Sequence, residues 1–197
     1  MSLTAALFLG GRSTRMGRDK AMLEIGGEPL WWRQWQKVCA LHPTRLLLSA
    51  RAGQEVPAPP PPARVVRDAD GDIGPLAGLL ACLREIQLDG PGARLLVLGI
   101  DLPRMPAAFL QDLIYASDPG CGAVARSGDV YEAMAAVYPA ELLEVASRRA
   151  RLGHLSLQGL IREGVERGLM DELPARDWPC EIFFNLNTPE DLARLEP

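Results

Sequence analysis

The sequence predicts one α/β domain over residues 1–197, built as a doubly wound, mostly parallel sheet with helices on both faces. Short apolar runs without polar alternation recur along the chain, and this pattern is typical of strands buried on both faces. Segments with helical spacing of apolar residues separate most of these runs, which indicates strand–helix–strand units. A chain of 197 residues that is 48% hydrophobic is long and apolar enough for one substantial core.

Each predicted strand is a short run rich in Leu, Val, Ile or Ala and bounded by Gly, Pro or polar residues. The first is TAALFLG, closed by two glycines, and ARLLVLGID is the most apolar. The predicted strands are residues 4–10, 45–50, 63–68, 93–101, 121–127, 131–139 and 180–187.

The predicted helices show apolar positions three and four residues apart. In the first helix, Leu30, Gln34 and Val38 fall on one face with two tryptophans. Pro75 lies near the start of the second helix, where proline is favoured. The last helix has Thr188 as N-cap and Asp191 three residues later, which predicts a capping box. The predicted helices are residues 29–42, 74–87, 106–117, 140–150, 155–168 and 188–195.

Composition excludes several classes of function. A net charge of -4 gives no basic excess for nucleic acid, so an anion site would have to be local. Four widely spaced cysteines, no CxxC pair and two histidines argue against zinc and predict a reduced, cytoplasmic protein. No apolar run approaches 18 residues, so no membrane span is expected. The N-terminal apolar run lacks a basic leader and is interpreted as a strand.

The segment after the first strand, GGRSTRMGRDK, combines backbone freedom with positive charge. It matches neither the P-loop nor the G-x-G-x-x-G pattern. Adjacent glycines nevertheless let backbone N–H groups approach an anion, and arginine or lysine can neutralise a triphosphate. A solvated basic turn is the alternative. The residues concerned are Gly10, Gly11, Arg12, Arg15, Gly17, Arg18 and Lys20.

Asp101 ends the most apolar strand, at the sheet edge where open α/β sheets bind ligands. A carboxylate beside a triphosphate would repel it unless a divalent cation lay between them, and magnesium binds one or two carboxylates together with phosphates. Asp101 is therefore a candidate metal ligand; a helix cap or turn residue is the alternative. Asp68 follows the third strand and is a second candidate, whereas Asp70 and Asp72 fit a flexible acidic loop.

Five segments together resemble the molybdenum cofactor guanylyltransferases, the MobA family of nucleotidyltransferases. They are GGRSTRMGRDK, GGEPL, GPLAGL, DLPRMP and NLNTPEDL, and they occur in the family's order over essentially the whole chain. The resemblance implies a Rossmann-like nucleotidyltransferase fold. It also implies transfer of GMP from GTP to the terminal phosphate of the molybdopterin cofactor, with release of pyrophosphate and with Mg²⁺, or Mn²⁺, as cofactor.

The resemblance also implies roles for individual residues. Arg15, Lys20 and Asp101 would be catalytic, with Asp101 holding the metal, and Asn187 would lie near the metal or the acceptor. Molybdoenzymes or other proteins of the cofactor pathway are possible partners. The residues implied to bind GTP are Phe8, Leu9, Gly10, Gly11, Arg15, Lys20, Ser49, Asp68, Gly78 and Asp101.

Several positions depart from the family pattern. Leu9 stands where alanine is usual and Ser49 where an asparagine is common. Both departures affect the expectation that guanine is the base bound. Glu132 with Ala133 replaces a His-Pro pair, and His154 stands where relatives tend to have arginine. These departures affect the expectation that the molybdopterin cofactor is the acceptor. The alternatives are a cytidylyltransferase, a transferase for another phosphorylated acceptor, or a nucleotide-binding adaptor without turnover. The cluster of Trp31, Trp32 and Trp35 could stack a pterin, but its helical spacing favours packing.

Overall fold

The computed structural model of the protein describes residues 2–10, 19–68, 73–174 and 178–195. Apolar runs form strands and amphipathic segments form helices, as their periodicities predict. The strands are β1 (Leu3–Phe8), β2 (Glu24–Ile25), β3 (Glu28–Pro29), β4 (Arg45–Ala50), β5 (Arg64–Arg67), β6 (Arg94–Gly99), β7 (Gly122–Ser127), β8 (Val130–Pro139) and β9 (Met170–Pro174). The helices are α1 (Leu30–Cys39), α2 (Pro75–Gln87), α3 (Ala107–Ala116), α4 (Leu142–Arg151), α5 (Leu157–Glu166) and α6 (Pro189–Ala193).

Seven strands form one sheet in the order β5-β4-β1-β6-β8-β7-β9. The first four in that order are mutually parallel, with Ala6 of β1 paired to Leu47 of β4 and to Val97 of β6. Strand β8 runs antiparallel to both of its neighbours, and β7 and β9 are parallel. The prediction of a mostly parallel α/β sheet is confirmed.

Each face of the sheet has its own apolar core, because strands buried on both sides alternate their side chains between two helical layers. One core includes Leu79 and Leu83 of α2 and residues of α4 and α5. The other includes Trp35 of α1 and Phe109 of α3. Helices therefore cover both faces, as a doubly wound sheet requires. Among the described residues, no helix is both long and apolar enough to cross a bilayer.

The packing interpretation of the tryptophan cluster holds for Trp35, which is 2% exposed in the core beneath α1. Trp31 and Trp32 are half-buried, and their rings meet edge to face with centroids 5.3 Å apart.

The predicted strand over residues 180–187 is wrong. Residues Cys180–Phe183 form a short 3₁₀ helix that follows Pro179. Phe183 packs edge to face on Phe109 of α3, so the segment lies over a helix and not beside a sheet edge. The sequence analysis also missed β9, which pairs with β7, and the two-residue strands β2 and β3. The predicted capping box of the last helix is confirmed at Thr188 and Asp191.

Helix α2 approaches the sheet closely at Gly78. A Cβ atom at this position would lie 2.9 Å from the Ser49 hydroxyl oxygen and 3.1 Å from Cε2 of the Phe8 ring. Ser49 and Phe8 are both 4% exposed, so neither side chain has free space to move into. The absence of a side chain at Gly78 sets the distance between α2 and the ends of β1 and β4.

Gly78→Ala should therefore destabilise the fold, although alanine is the better helix former. Overpacking of a tight core costs about 1–3 kcal/mol, against a helix-propensity gain of about 1 kcal/mol. Chemical denaturation would measure the change in unfolding free energy. The double variant Gly78→Ala/Ser49→Ala removes the nearest clashing atom and should recover part of the loss. A single variant as stable as the parent would show that α2 can shift freely.

Candidate active site

The site lies at the edge of the sheet where the four parallel strands end. The carboxyl ends of β1, β4, β5 and β6 lead into Gly10, Arg51, Asp68 and Asp101 in turn. Backbone bonds tie these ends together, since Leu9 N donates to Ser49 O at 2.9 Å and Ile100 N donates to Phe8 O at 2.9 Å. Parallel strands end at one edge, so residues distant in sequence share one crevice.

Lys20, Asn187 and Asp101 come together at this edge. The ammonium group of Lys20 donates to Asn187 Oδ1 at 2.9 Å, across 167 positions of sequence. The N–H of Leu186 donates to the carbonyl of Asp101 at 2.8 Å, which fastens the segment carrying Asn187 to the turn carrying Asp101. The convergence of the three predicted residues is thus a property of the tertiary structure.

The Asp101 carboxylate folds back over Gly99. A Cβ at Gly99 would collide with Asp101 Oδ1 and would lie 2.9 Å from Met134 Cβ of β8. Burial raises the pKa of Asp101, and the nearby charge of Lys20 only partly opposes this. Among the described residues, Lys20 therefore does not fully compensate the cost of ionising the buried Asp101 carboxylate.

Glu132 lies near enough to Asp101 for their charges to interact, and it was not among the predicted site residues. Strand β8 has a bulge opposite Val124 and Arg126 of β7, and bulges commonly re-aim side chains near sites. Burial raises the pKa of Glu132, and the charge of Asp101 raises it further. The only sequence signal was that Glu132 departs from the family's His-Pro pair.

Gln54 and Asp19 anchor the two ends of the glycine-rich segment. The amide of Gln54 donates to Asp19 Oδ2 at 3.1 Å and, more weakly, to Leu9 O at 3.4 Å. The other Asp19 oxygen accepts from Ala21 N at 3.0 Å and caps the short 3₁₀ helix that begins at Lys20. Sequence analysis missed both residues, because Gln54 lies in an irregular loop 35 positions from Asp19.

The remaining predicted nucleotide contacts differ in how they are placed. The side chains of Phe8 and Leu9 point into the two apolar cores on opposite faces of the sheet. Leu9 is 2% exposed, so the leucine that replaces the family's usual alanine packs within the core. The Ser49 hydroxyl is buried beneath α2, next to Gly78. The Asp68 carboxylate accepts from Ala52 N at 2.8 Å and orders the loop after β4. Their roles toward GTP stay predictions.

Gly10 is exposed at the end of β1, and Gly78 is buried against Ser49 as described above. Gly11 and Arg15 lie outside the described residues, as do Arg12, Arg18, Asp70 and Asp72. The described part of the site therefore consists of strand ends, Lys20 and the segment around Asn187.

Comparison with known proteins identifies the class. The chain is a nucleotidyltransferase. It belongs to the family of the MobA-like NTP transferase domain, whose model matches residues 5–168. The family predicted from the sequence motifs is thereby confirmed.

Three similar proteins illustrate the relationship. A protein of Opitutus terrae named "Probable molybdenum cofactor guanylyltransferase" is 36% identical over 194 residues, covering 98% of this chain and 94% of its own. The solved structure of molybdopterin-guanine dinucleotide biosynthesis protein A from Archaeoglobus fulgidus shares the fold with a TM-score of 0.73, at 22% identity, with 98% of this chain and 96% of that chain covered. A Mycobacterium tuberculosis protein solved in complex with manganese also shares it, with a TM-score of 0.66 at 18% identity, covering 98% and 97%.

Asp101→Asn should stabilise the metal-free protein at neutral pH. Because burial raises the pKa of Asp101 above its ordinary 3.8, the folded protein holds this proton more tightly than the unfolded chain. That stability is present at low pH and is lost as the pH rises through the pKa of Asp101 in the folded protein. Above that pH, the ionised carboxylate destabilises the folded state. Thermal unfolding with chelator at pH 4 and pH 7.5 would measure this. The variant should gain relative to the parent at pH 7.5.

The exposed Asp118 provides a matched control for that measurement. Asp118→Asn makes the same chemical change away from the site and should leave the pH dependence of the melting temperature as it is in the parent. An Asp101→Asn variant that melts below the parent at pH 7.5 would contradict the electrostatic account of this site.

Proposed function

We propose that this chain transfers GMP from GTP to the terminal phosphate of the molybdopterin cofactor, releasing pyrophosphate. The observation that carries the proposal is the convergence of Lys20, Asn187 and Asp101 at the carboxyl edge of the sheet, beside Gly10. Family membership supports the reaction class, and the names of the relatives support guanine and the molybdenum cofactor.

In this proposal the chain's own residues act by position and charge. An oxygen of the acceptor phosphate attacks the α-phosphorus of GTP, and the bond from that phosphorus to the leaving pyrophosphate breaks. Lys20 neutralises negative charge that develops on the α-phosphate and on pyrophosphate, as cations do in phosphoryl transfer generally. The bond from Lys20 to Asn187, at the same edge of the sheet as Asp101, supports this role. Arg15 is proposed to contact the outer phosphates.

The described donor set fits a divalent metal bound together with substrate. Asp101 offers a carboxylate, a ligand that magnesium prefers, and Asn187 lies near it with its amide oxygen accepting from Lys20. Among the described residues there is no group of three side chains from His, Cys, Asp and Glu that could hold a metal. Magnesium characteristically uses one or two carboxylates and completes its shell with phosphates and water. We propose Mg²⁺, with Mn²⁺ as a substitute; when bound, it would supply charge neutralisation between Asp101 and the phosphates.

Other features of the proposal follow the family. The protein is proposed to act as a single domain in the cytoplasm, without nucleic acid, and to hand its product to molybdoenzymes or other proteins of the cofactor pathway. Adjacent glycines at Gly10 and Gly11 are proposed to give guanine its place against the backbone.

The test is release of pyrophosphate in the presence of Mg²⁺, with GTP, CTP and ATP each supplied together with the molybdopterin cofactor. Release with GTP alone is the expected result. Lys20→Ala should lower kcat by at least about a hundred-fold, as loss of one charge-stabilising group does elsewhere, with the fold unchanged by circular dichroism. Arg84→Ala removes a cation from an exposed position of α2 and serves as the control.

Each other outcome overturns a stated part of the proposal. Release with CTP would replace the base and keep the reaction class. GTP binding without release would reject this acceptor or indicate an adaptor. A mild effect of Lys20→Ala would remove Lys20 from the mechanism.

A further inference from the structure

The turn after β6 holds Asp101 at its tip. Within it, Leu102 N donates to Gly99 O at 3.3 Å, and Met105 N donates to Leu102 O at 3.1 Å. The carbonyl of Asp101 itself accepts from Leu186 N. The direction of the Asp101 carboxylate therefore depends on how firmly the peptides from Gly99 to Leu102 are held.

Gln34 is a polar residue on the apolar face of α1. It is 0% exposed and lies on the same buried stripe as Leu30, Trp35 and Val38. An amide buried in an apolar stripe costs free energy unless its polar atoms are hydrogen-bonded. An apolar side chain would cover the sheet without that cost, so packing alone does not explain glutamine here.

The Gln34 amide on α1 hydrogen-bonds the backbone of the turn that carries Asp101. Its Nε2 donates to Leu102 O at 2.9 Å and to Gly99 O at 3.2 Å, the two carbonyls that flank Asp101. Its Oε1 is buried and has no hydrogen-bond partner within the described part of the chain. The Gln34 side chain thus binds the turn through its donor, while its acceptor pairs with none of the described residues.

A second side chain of α1 acts one residue further along the chain. The ammonium group of Lys37, one helical turn from Gln34, donates to Pro103 O at 2.7 Å. Two donors from one rigid helix therefore fix three carbonyls between positions 99 and 103. Helices position groups more rigidly than loops do, and positioned groups need support of this kind.

We propose that Gln34 is a positioning residue for the transferase reaction: it fixes the turn that aims the Asp101 carboxylate at the metal and the α-phosphate. The inference rests on the proposed function for its catalytic consequence, but its structural half stands on the Gln34 contacts alone. Both carbonyls keep a backbone donor without Gln34, so its loss should loosen the turn and leave the fold intact.

The experiment compares Gln34→Met with Gln36→Met, which makes the same near-isosteric change at an exposed position of the same helix. Misplacement of a reacting group by about 1 Å costs on the order of a hundred-fold in rate. We expect Gln34→Met to lower kcat by about ten- to a hundred-fold and to raise the half-activating Mg²⁺ concentration. The KM for GTP should change little, because the contact acts through Asp101 and not on the nucleotide. Gln36→Met should match the parent.

A second readout is independent of activity. Hydrogen exchange of the Leu102 and Leu186 amides, measured on the metal-free protein, should be faster in Gln34→Met than in Gln36→Met. Exchange at β1 should be unchanged. Unchanged exchange together with an unchanged kcat would overturn the inference. If exchange is faster in Gln34→Met but the parent protein releases no pyrophosphate, the proposed function is rejected and the structural half is kept.

If Gln34→Met fails to fold, Lys37 supplies the deciding comparison. Lys37→Met removes the Pro103 contact from a half-buried position and should lower kcat with little change in KM. Lys37→Arg keeps a donor and should restore most of the rate. Equal kcat values in both Lys37 variants and the parent would count against support of this turn by α1.

Discussion

A carboxylate held at the end of a buried central strand is the constraint on which this structure depends. Asp101 must stay near the crevice although burial disfavours its charge, and that charge in turn raises the pKa of Glu132. Gly99 makes space for the carboxylate, and Gln34 holds the peptides on either side of it. Gln34 and Glu132, both far from Asp101 in sequence, thus lie close to one side chain, as expected where a fold gives up local stability for a functional charge.

The C-terminal segment is the second component of this arrangement. It contributes no strand to the sheet, yet it reaches the site edge through one backbone hydrogen bond to Asp101 and one side-chain bond from Lys20 to Asn187. Its position is stabilised by Phe183 against Phe109 and by the capping box of α6. Aromatic packing over α3 takes the place of strand pairing and brings Asn187 to the crevice.

The two ends of the glycine-rich segment after β1 are held by residues that lie outside its glycines and arginines. Gln54 joins the end of β1 to Asp19, and Asp19 in turn caps the 3₁₀ helix that begins at Lys20. Arg67 of β5 donates to the carbonyls of Arg51 and Gln54 and stiffens the same loop. The direction of the Lys20 side chain is thereby linked to the ends of β4 and β5, where the nucleoside is proposed to lie.

The sequence by itself determined the α/β class, the central strands and the capping box, and it predicted Lys20, Asp101 and Asn187 as candidate site residues, because periodicity and motif are local properties of the chain. Only the tertiary structure decided that Phe183 packs on α3, that β9 completes the sheet, and that Gln34, Gln54 and Glu132 lie beside the candidate site. A glutamine on an apolar helix face has the same sequence pattern whether or not it meets a carbonyl. Which groups meet depends on contacts between residues 30 to 170 positions apart, and short-range periodicity carries no information about such contacts.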